Sequence, residues 1–333
     1  MKVILSWKNP MRSVHQLLGE PKEMLDWKEQ LQSIFWDHKV LAFKGKELDD
    51  TDLNILRDVF SFGTDEDCCS KYTVDYSDVF PALEKMGYDN NNPCKYINPW
   101  HLENNYMQNP PVFGMWSMDI FDCVGGKTLF IDMGALYEKL PKHLKNYAEN
   151  TYTVSLPNWF PVDRNDFQTW AHSGVNFAPF HYPFRKEVAP GGFPGREYVR
   201  VAPHPLVGKH PISKQKILRT ITELPPNDPG ENREIYLANP LVFDCENEFY
   251  VLKSEFTEWL KEELENPDNH LIHNWETGDV LVIDLFSLAH AVTWFDKEIP
   301  PPRVMQGRIW FEPGVKKVTD DPLDLEWVWE VGW

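Results

Sequence analysis

Cysteine and long apolar runs are scarce in this sequence of 333 residues. Its five cysteines (Cys68, Cys69, Cys94, Cys123 and Cys245) are an odd number without Cys-x-x-Cys spacing, in a chain long enough to fold without cross-links. We therefore expect reduced thiols in a cytoplasmic compartment. No apolar run approaches the roughly 18 residues of a membrane span, and the N-terminal segment lacks a signal-peptide pattern. We expect an unprocessed protein that has no membrane partner.

Basic residues are fewer than acidic residues in the chain. Against 51 Asp and Glu residues there are 33 Lys and Arg residues, which gives a formal net charge of -18. Such a chain repels the phosphates of nucleic acids and the head groups of anionic membranes. We expect a small-molecule partner and no nucleic acid, while the composition leaves homo-oligomer formation open.

Helical and strand-like patterns follow one another without the regular alternation of a doubly wound sheet. Apolar residues at helical spacing predict helices over 22–36, about 50–62, 135–148 with a break at Pro141, and 254–265. Strand-like runs are found at 40–43, 279–285 and 303–312, and in the tail DPLDLEWVWEVGW. This mixture predicts an α+β fold or a mainly-β barrel core.

Two other segments are less regular. The β-rich runs within 112–133 are separated by Gly125 and Gly126, which predicts a hairpin.

The stretch from 150 to 250 is rich in proline, glycine and aromatic residues, and such a segment in a compact domain is more often a binding loop than a linker. We therefore expect a single catalytic domain over 1–333 with an irregular lid or insert around 150–250.

Basic residues gather in and after the least regular part of this stretch, at 171–198. They are Arg185, Lys186, Arg196 and Arg200. This group suits a cationic lid over an anionic substrate, and a solvated charged loop is the commoner alternative.

The stretch NPWHLENNY at 98–106 places a histidine and a glutamate two residues apart. In an extended strand, side chains at i and i+2 project to the same face, so His101 and Glu103 can bind one metal ion. His290 follows the buried strand VLVIDL and is the best third ligand, with His273 as the second choice. Two imidazoles and one carboxylate are the ligand set of non-haem Fe(II) oxygenases. On spacing alone, hydrogen-bonded or core histidines are the commoner alternative.

Longer blocks around these residues resemble a known family, the taurine dioxygenase (TauD/TfdA-like) group of Fe(II) and 2-oxoglutarate dependent oxygenases. The blocks are WHLENNY, the following PP, GGKTLF with YEKLP, VAPHPLVGKHP, GDVLVIDLFSLAHAV and RVMQG. Together with VLAFKGKELDDTDLNILRDVFSFG they cover most of residues 20–313, in order. The resemblance implies a double-stranded β-helix (jelly-roll) core flanked by helices.

Carried over residue by residue, the resemblance implies that His101, Glu103 and His290 bind Fe(II). It also implies that Thr128 and Arg303 bind 2-oxoglutarate. Arginine suits this task because its planar fork pairs bidentately with a carboxylate.

Further residues near these motifs are candidates for the substrate pocket. Arg308 lies five residues after Arg303, and a bulge at Gly307 would bring both arginines to one face of a strand. Four aromatic or polar residues flank the iron pair and are candidates to line the pocket, with packing in the core as the alternative role. They are Asn98, Trp100, Tyr106 and Trp116. His204 and His210 match a family segment of structural character.

The glutamate ligand bears on the reaction that the resemblance implies. Asp is commoner at this position, and Glu103 places the chain among His-x-Glu members such as clavaminate-synthase-like enzymes, which act on amino-acid-like substrates. The resemblance implies that Fe(II), 2-oxoglutarate and O2 oxidise an unactivated C–H bond of a small amino-acid-like or carboxylated molecule, with succinate and CO2 as co-products.

The type of reaction stays open between hydroxylation, desaturation and oxidative ring closure. The last would make the chain an oxidative cyclase of secondary metabolism, similar to a kainoid synthase. A non-catalytic jelly-roll binding module and a Zn hydrolase with the same three ligands are the other hypotheses.

Overall fold

A computed structural model describes residues 2–4, 14–15, 21–44, 49–60, 62, 69–75, 96–105, 109–154, 180–183, 198–201, 203–220, 241–243, 249–293, 303–311, 315–317 and 327–329. The helices in these ranges are α1 (Lys28–His38), α2 (Asp50–Phe60), α3 (Met133–Lys139), α4 (Lys142–Glu149) and α5 (Ser254–Glu265), with 3-10 turns at Pro21–Trp27 and Pro267–Asn269. The strands are β1 (Lys2–Ile4), β2 (Val14–His15), β3 (Val40–Lys44), β4 (Cys69–Asp75), β5 (Tyr96–His101), β6 (Phe113–Phe121), β7 (Thr128–Asp132), β8 (Tyr152–Val154), β9 (Phe180–Pro183), β10 (Tyr198–Val201), β11 (Pro203–Pro205), β12 (Val207–Lys209), β13 (Lys216–Leu218), β14 (Leu241–Phe243), β15 (Phe249–Val251), β16 (Leu271–His273), β17 (Val280–Ile283), β18 (Leu288–Thr293), β19 (Arg303–Trp310), β20 (Val315–Lys317) and β21 (Trp327–Trp329).

Two antiparallel sheets hold most of the long strands. One has seven strands in the order β2-β1-β3-β17-β6-β19-β4, and the other has four in the order β16-β7-β18-β5. Apart from β1 and β2, neighbouring strands in these sheets are distant in sequence, so the fold depends on non-local pairing. The expected α+β class is confirmed.

The two sheets pack against each other through an apolar layer. The seven-stranded sheet contributes Ala42, Trp116, Leu281 and Ile309, and the four-stranded sheet contributes Phe130 and Leu288. Because side chains alternate between the faces of a strand, every second residue of β7, β18 and β19 points into this layer.

Helices cover the opposite, outer faces of the two sheets. Helices α1 and α2 pack on the seven-stranded sheet, in a cluster with Phe35, Leu56, Phe43, Met115 and Trp310. Helices α3, α4 and α5 pack on the four-stranded sheet, in a cluster with Leu136, Leu144, Phe256, Ile131 and Ala291. Within the part of the chain that the structure describes, no helix has the length and apolarity needed to cross a membrane.

The hairpin predicted within 112–133 is wrong. Strand β6 pairs with β17 and β19 in the larger sheet, whereas β7 pairs with β16 and β18 in the smaller one. Gly125 and Gly126 have φ angles of 92° and 61°, a backbone region that glycine adopts without steric cost. The glycines therefore form a sharp turn, as expected, but this turn carries the chain from one sheet to the other.

The other predicted elements are largely confirmed. The first helix is shorter than expected because a 3-10 turn occupies Pro21–Trp27, and the helix predicted over 135–148 is divided at Pro141 into α3 and α4. Cys123 is a free thiol. Most of the irregular stretch within 150–250, with Arg185, Lys186 and Arg196, lies outside the described residues.

Truncation of Phe35 should test the packing of α1 on the larger sheet. Its ring is fully buried and lies 5.7 Å from Phe60 and 5.4 Å from Phe62, between ring centroids. We expect Phe35→Ala to lower the free energy of unfolding by about 3 to 5 kcal/mol, measured by urea denaturation. Trp27→Ala removes an aromatic side chain that is 56% exposed in the same segment and should change stability little. Equal losses in both variants would contradict this packing.

Candidate functional site

The expected metal-binding histidines lie opposite each other on adjacent strands. His290 of β18 is paired in register with His101 of β5, and their ring centroids are 4.1 Å apart. In β18, Ala289 and Ala291 belong to the outer cluster, so His290 projects between the two sheets. The strand pairing therefore brings together two imidazoles that are 189 positions apart in the sequence.

Glu103 reaches the same place from outside the sheet. Strand β5 ends at His101, and residues 103–105 form a turn in which the Asn105 backbone N–H donates to the Leu102 carbonyl at 3.3 Å. Asn104 has a φ of 47°, which asparagine tolerates better than most residues. The extended geometry that we expected for His101 and Glu103 thus ends before the glutamate, but its carboxylate still converges on the histidines.

The three side chains fit one metal ion. Their ligand atoms all lie within 4.8 Å of one another, and Nε2 of His290 is 3.3 Å from Oε2 of Glu103. Burial alone would raise the pKa of the Glu103 carboxyl, but its hydrogen bond to His290 and the charges of His290 and His101 outweigh burial and lower the pKa. Two imidazoles and an ionised carboxylate are the donor types that hold non-haem Fe(II) in oxygenases, so these residues fit such an ion.

Thr128 lies on the inner face of β7, opposite Val292 of β18. It is 1% exposed, and its Oγ1 accepts a hydrogen bond of 2.8 Å from Nε1 of Trp275. The neighbouring inward residue of β7 is Phe130, which is paired in register with His290. Because the Trp275 N–H occupies an acceptor position of the hydroxyl, the hydroxyl proton is left to donate elsewhere.

The two arginines of β19 lie on opposite faces. Arg303 is 1% exposed and shares its face with Met305 and Ile309 of the inter-sheet layer. Arg308 points to the other side, where its Nη2 lies 3.6 Å from Oδ1 of Asp50. The bulge proposed at Gly307 is not formed, since the register shift lies between Val304 and Met305. We therefore do not assign Arg308 to the substrate site.

The other candidates for the substrate pocket also lie on different faces of the sheets. Trp116 faces the inter-sheet layer, with its ring 5.0 Å from that of His290. Trp100 belongs to the outer cluster under α3 to α5 and cannot line a pocket between the sheets. The backbone of Asn98 lies in β5, opposite Val292, while Tyr106 lies outside the described residues.

The remaining histidines have structural contacts. His273, the second choice as a ligand, lies 3.2 Å from Asp279 and packs edge-on against Trp275. His204 is in β11, opposite Thr153. His210 is fully buried, which agrees with the packing role expected for it.

A buried ionic cluster around Asp284 was missed by sequence reasoning. Asp284, in the turn before β18, lies 3.2 Å from Nε2 of His210 and accepts the Ser287 backbone N–H at 3.0 Å. Burial would raise the pKa of Asp284, but His210, Lys39 and Ser287 together lower it. The dipeptide Ile283-Asp284, which ends a buried strand with a charge, was the sequence signal that could have indicated such a group.

Arg219 is the second buried charge of this region. It is 2% exposed, stacks on the ring of Phe286 at 3.9 Å and hydrogen-bonds to Asn105. Burial lowers the pKa of its guanidinium to about 9, although the charge of Asp284 opposes this effect, so the group is still a cation at neutral pH. Sequence reasoning did not single out Arg219, because an arginine after a short strand is usually a surface residue.

Comparisons with known proteins show which family model and which solved structures this chain resembles. The family model described as taurine catabolism dioxygenase TauD, TfdA family matches residues 18–309. A crystal structure of a taurine dioxygenase from Burkholderia xenovorans is 16% identical, with a TM-score of 0.51, over 92% of this chain and 86% of that chain. The structure of AAD-2 in complex with Mn(II) and N-oxalylglycine is 17% identical, with a TM-score of 0.52, over 86% of this chain and 88% of that chain. At these identities the two structures show a shared fold.

Replacement of Asp284 should reveal the buried ionic cluster through its pH dependence. The folded protein lowers the pKa of Asp284 below its usual 3.8, so the charge stabilises the fold above that pH, and this contribution is lost as the pH falls through the folded-state pKa. We expect Asp284→Asn to cost about 3 to 5 kcal/mol at pH 7, because it removes a buried negative charge that interacts favourably with the positive charges of Lys39 and Arg219. The difference from the unchanged protein should shrink below about pH 3.8 in urea unfolding at several pH values.

The matched control is Asp58→Asn, at an acidic residue that is half exposed and pairs with Arg57. This change should have little effect at any pH. If the loss of unfolding free energy in Asp284→Asn stayed constant down to pH 2, a role for the charge of Asp284 would be contradicted.

Proposed function

Because this chain belongs to the TauD, TfdA family of taurine catabolism dioxygenases, we propose that His101, Glu103 and His290 form its catalytic iron centre. The chain is a 2-oxoglutarate-dependent dioxygenase, and enzymes of this family use Fe(II), 2-oxoglutarate and O2. The observation that carries the assignment is the convergence of the three ligand atoms within 4.8 Å at the inner face of the smaller sheet.

The three protein groups would hold the ion and would leave its remaining coordination positions to small molecules. When bound, iron with its co-substrates supplies the oxidant for an unactivated C–H bond, and succinate and CO2 are the co-products. The residues of the chain hold the ion, orient the two organic molecules and exclude water. Trp116 and Phe130 contribute to that exclusion, because their rings lie 5.0 Å and 6.2 Å from the His290 ring.

Arg303 and Thr128 are the proposed 2-oxoglutarate residues. Arg303 offers a planar cationic fork at a buried position between the sheets, a geometry that suits two-point pairing with a carboxylate. Thr128 can donate its hydroxyl proton to the same carboxylate, since Trp275 already holds its oxygen from the other side.

The architecture around the site supports two further proposals. The two sheets, which pack through one apolar layer and pair only antiparallel, are the expected halves of a double-stranded β-helix. We also propose, from the sequence, a single catalytic domain over 1–333 with an irregular lid or insert around 150–250.

The substrate that we propose is a small amino-acid-like or carboxylated molecule. This proposal rests on the glutamate in the His101-Leu102-Glu103 motif, which resembles the clavaminate-synthase-like members. Trp116 is the substrate-lining residue that the geometry favours. It is 3% exposed beside His290, and among the described residues its Nε1 has no hydrogen-bond partner. Hydroxylation, desaturation and oxidative ring closure are all compatible with this site.

Loss of either type of ligand should abolish turnover. We expect metal-free protein to gain a visible charge-transfer band when Fe(II) and 2-oxoglutarate are added without O2, and to form succinate once O2 is admitted. His101→Ala and Glu103→Ala should remove the band and the succinate. A matched control is His143→Ala, at an exposed histidine of α4 that pairs with Glu255 of α5. Full succinate formation by both ligand variants would refute the proposed centre.

The two arginines of β19 offer a matched test of co-substrate binding. Arg303→Ala should raise the KM for 2-oxoglutarate about 10- to 150-fold, which corresponds to about 1.5 to 3 kcal/mol for a hydrogen bond to a charged group. Arg308→Ala, on the opposite face of the same strand, should leave this KM unchanged. Steady-state kinetics at saturating Fe(II) make the comparison, and the opposite ranking of the two variants would exclude Arg303 from the role.

A further inference from the structure

Glu103 needs a support that the sheet does not provide. His101 and His290 are held by the ladder between β5 and β18, but Glu103 lies beyond the end of β5, in a turn that contains the positive φ of Asn104. The turn has one internal backbone hydrogen bond, from Asn105 to Leu102 at 3.3 Å. A metal ligand in such a turn binds tightly only if other groups fix its position.

Asn105 connects this turn to a distant segment. Its Nδ2 donates to the backbone carbonyl of Arg219 at 2.8 Å, and its Oδ1 accepts from Nη2 of the same arginine. Both side chains are buried, at 6% and 2% exposure. The amide of Asn105 thus uses its donor and its acceptor on one partner, and this two-point contact limits rotation as well as distance.

Arg219 is itself fixed from several sides. Its backbone N–H donates to the Leu206 carbonyl at 2.8 Å, and its Nη1 donates to the Phe286 carbonyl at 3.0 Å. Phe286 lies in the turn that leads into β18, four residues before His290, and its ring stacks on the guanidinium. Arg219 therefore joins the turn that carries Glu103 to the turn that precedes His290.

Space for this arginine depends on a glycine. A Cβ atom added to Gly208 of β12 would lie 2.6 Å from Cγ and 3.1 Å from Cδ of Arg219. Since these atoms belong to the base of the side chain, any larger residue at position 208 would displace the guanidinium. Gly208 thus gives a way to move Arg219 without changing either partner of the contact.

We propose that Asn105 and Arg219 are positioning residues that hold Glu103 at the metal site and thereby set the metal affinity of the enzyme. This inference rests on the proposed iron centre, because it presupposes that Glu103 is a ligand. Neither residue needs to touch the metal or the substrate. Their contribution is to keep the Glu103 turn in one conformation before the ion arrives, so that binding does not have to order it.

The test measures the affinity for Mn(II), used alone as the probe metal, by electron paramagnetic resonance titration of the chelator-treated full chain. We expect Asn105→Ala and Arg219→Lys to weaken Mn(II) binding about 10- to 100-fold, the usual effect of losing a partner of a metal ligand. Arg219→Lys keeps the positive charge but loses the planar fork. Asn105→Asp keeps an oxygen for Arg219 and should recover part of the affinity. Gly208→Ala should weaken binding in the same direction.

The control variant is Asn150→Ala, which removes an asparagine that donates to the Asn146 carbonyl at the end of α4. Its Mn(II) affinity should match that of the unchanged protein. Unfolding of each metal-free variant is recorded in parallel, because a purely structural role would lower stability without a change in affinity. If Asn105→Ala does not fold, Asn105→Asp and Gly208→Ala decide the question.

Two outcomes separate this inference from the proposed function. If the unchanged protein binds no Mn(II), or Glu103→Ala binds it equally well, the iron centre itself is refuted and the positioning role is refuted with it. If Glu103→Ala loses Mn(II) while the folded Asn105, Arg219 and Gly208 variants keep affinities within twofold of the unchanged protein, only the positioning role is overturned.

Discussion

The antiparallel pairing of β18 with β5 is the constraint on which the site depends. It sets His290 directly opposite His101, at a ring separation of 4.1 Å, and the alternation of side chains along both strands turns the imidazoles into the layer between the sheets. A slip of one residue would direct His290 towards the helices on the outer face. The apolar neighbours on that outer face, Ala289 and Ala291, fix the register because they must stay under the helices.

The third candidate ligand, Glu103, is not held by strand pairing. Glu103 lies in a turn, and its carboxylate remains ionised because the two histidines outweigh the cost of its burial. The charges of Arg219 and Asp284 are also buried, a costly arrangement that proteins keep only when each group has partners. These partners come from four separate stretches of the chain, and the contacts of Arg219 and His210 join the Glu103 turn and the β12–β13 pair to the turn before β18.

The alternation of faces also decides which side chains can take part in chemistry. Arg303 and Arg308 are five positions apart on one strand, an odd spacing that places one between the sheets and the other beside α2. Trp116 and Trp100, on different strands, also face different layers. The Trp116 ring lies against His290 between the sheets, and Trp100 is part of the outer core. Chemical type alone does not distinguish the members of either pair.

The sequence by itself determined the α+β class, most of the helices and the three residues that converge as a candidate metal site. Hydrophobic periodicity and the ordered motifs around WHLENNY and LAHAV are local features, so they can be recognised without knowledge of the tertiary structure. Only the tertiary structure decided that β6 and β7 belong to different sheets, that Arg308 faces outward and that Arg219 supports the Glu103 turn. Each of these depends on which distant strands pair and in what register, and no local pattern of residues specifies that choice.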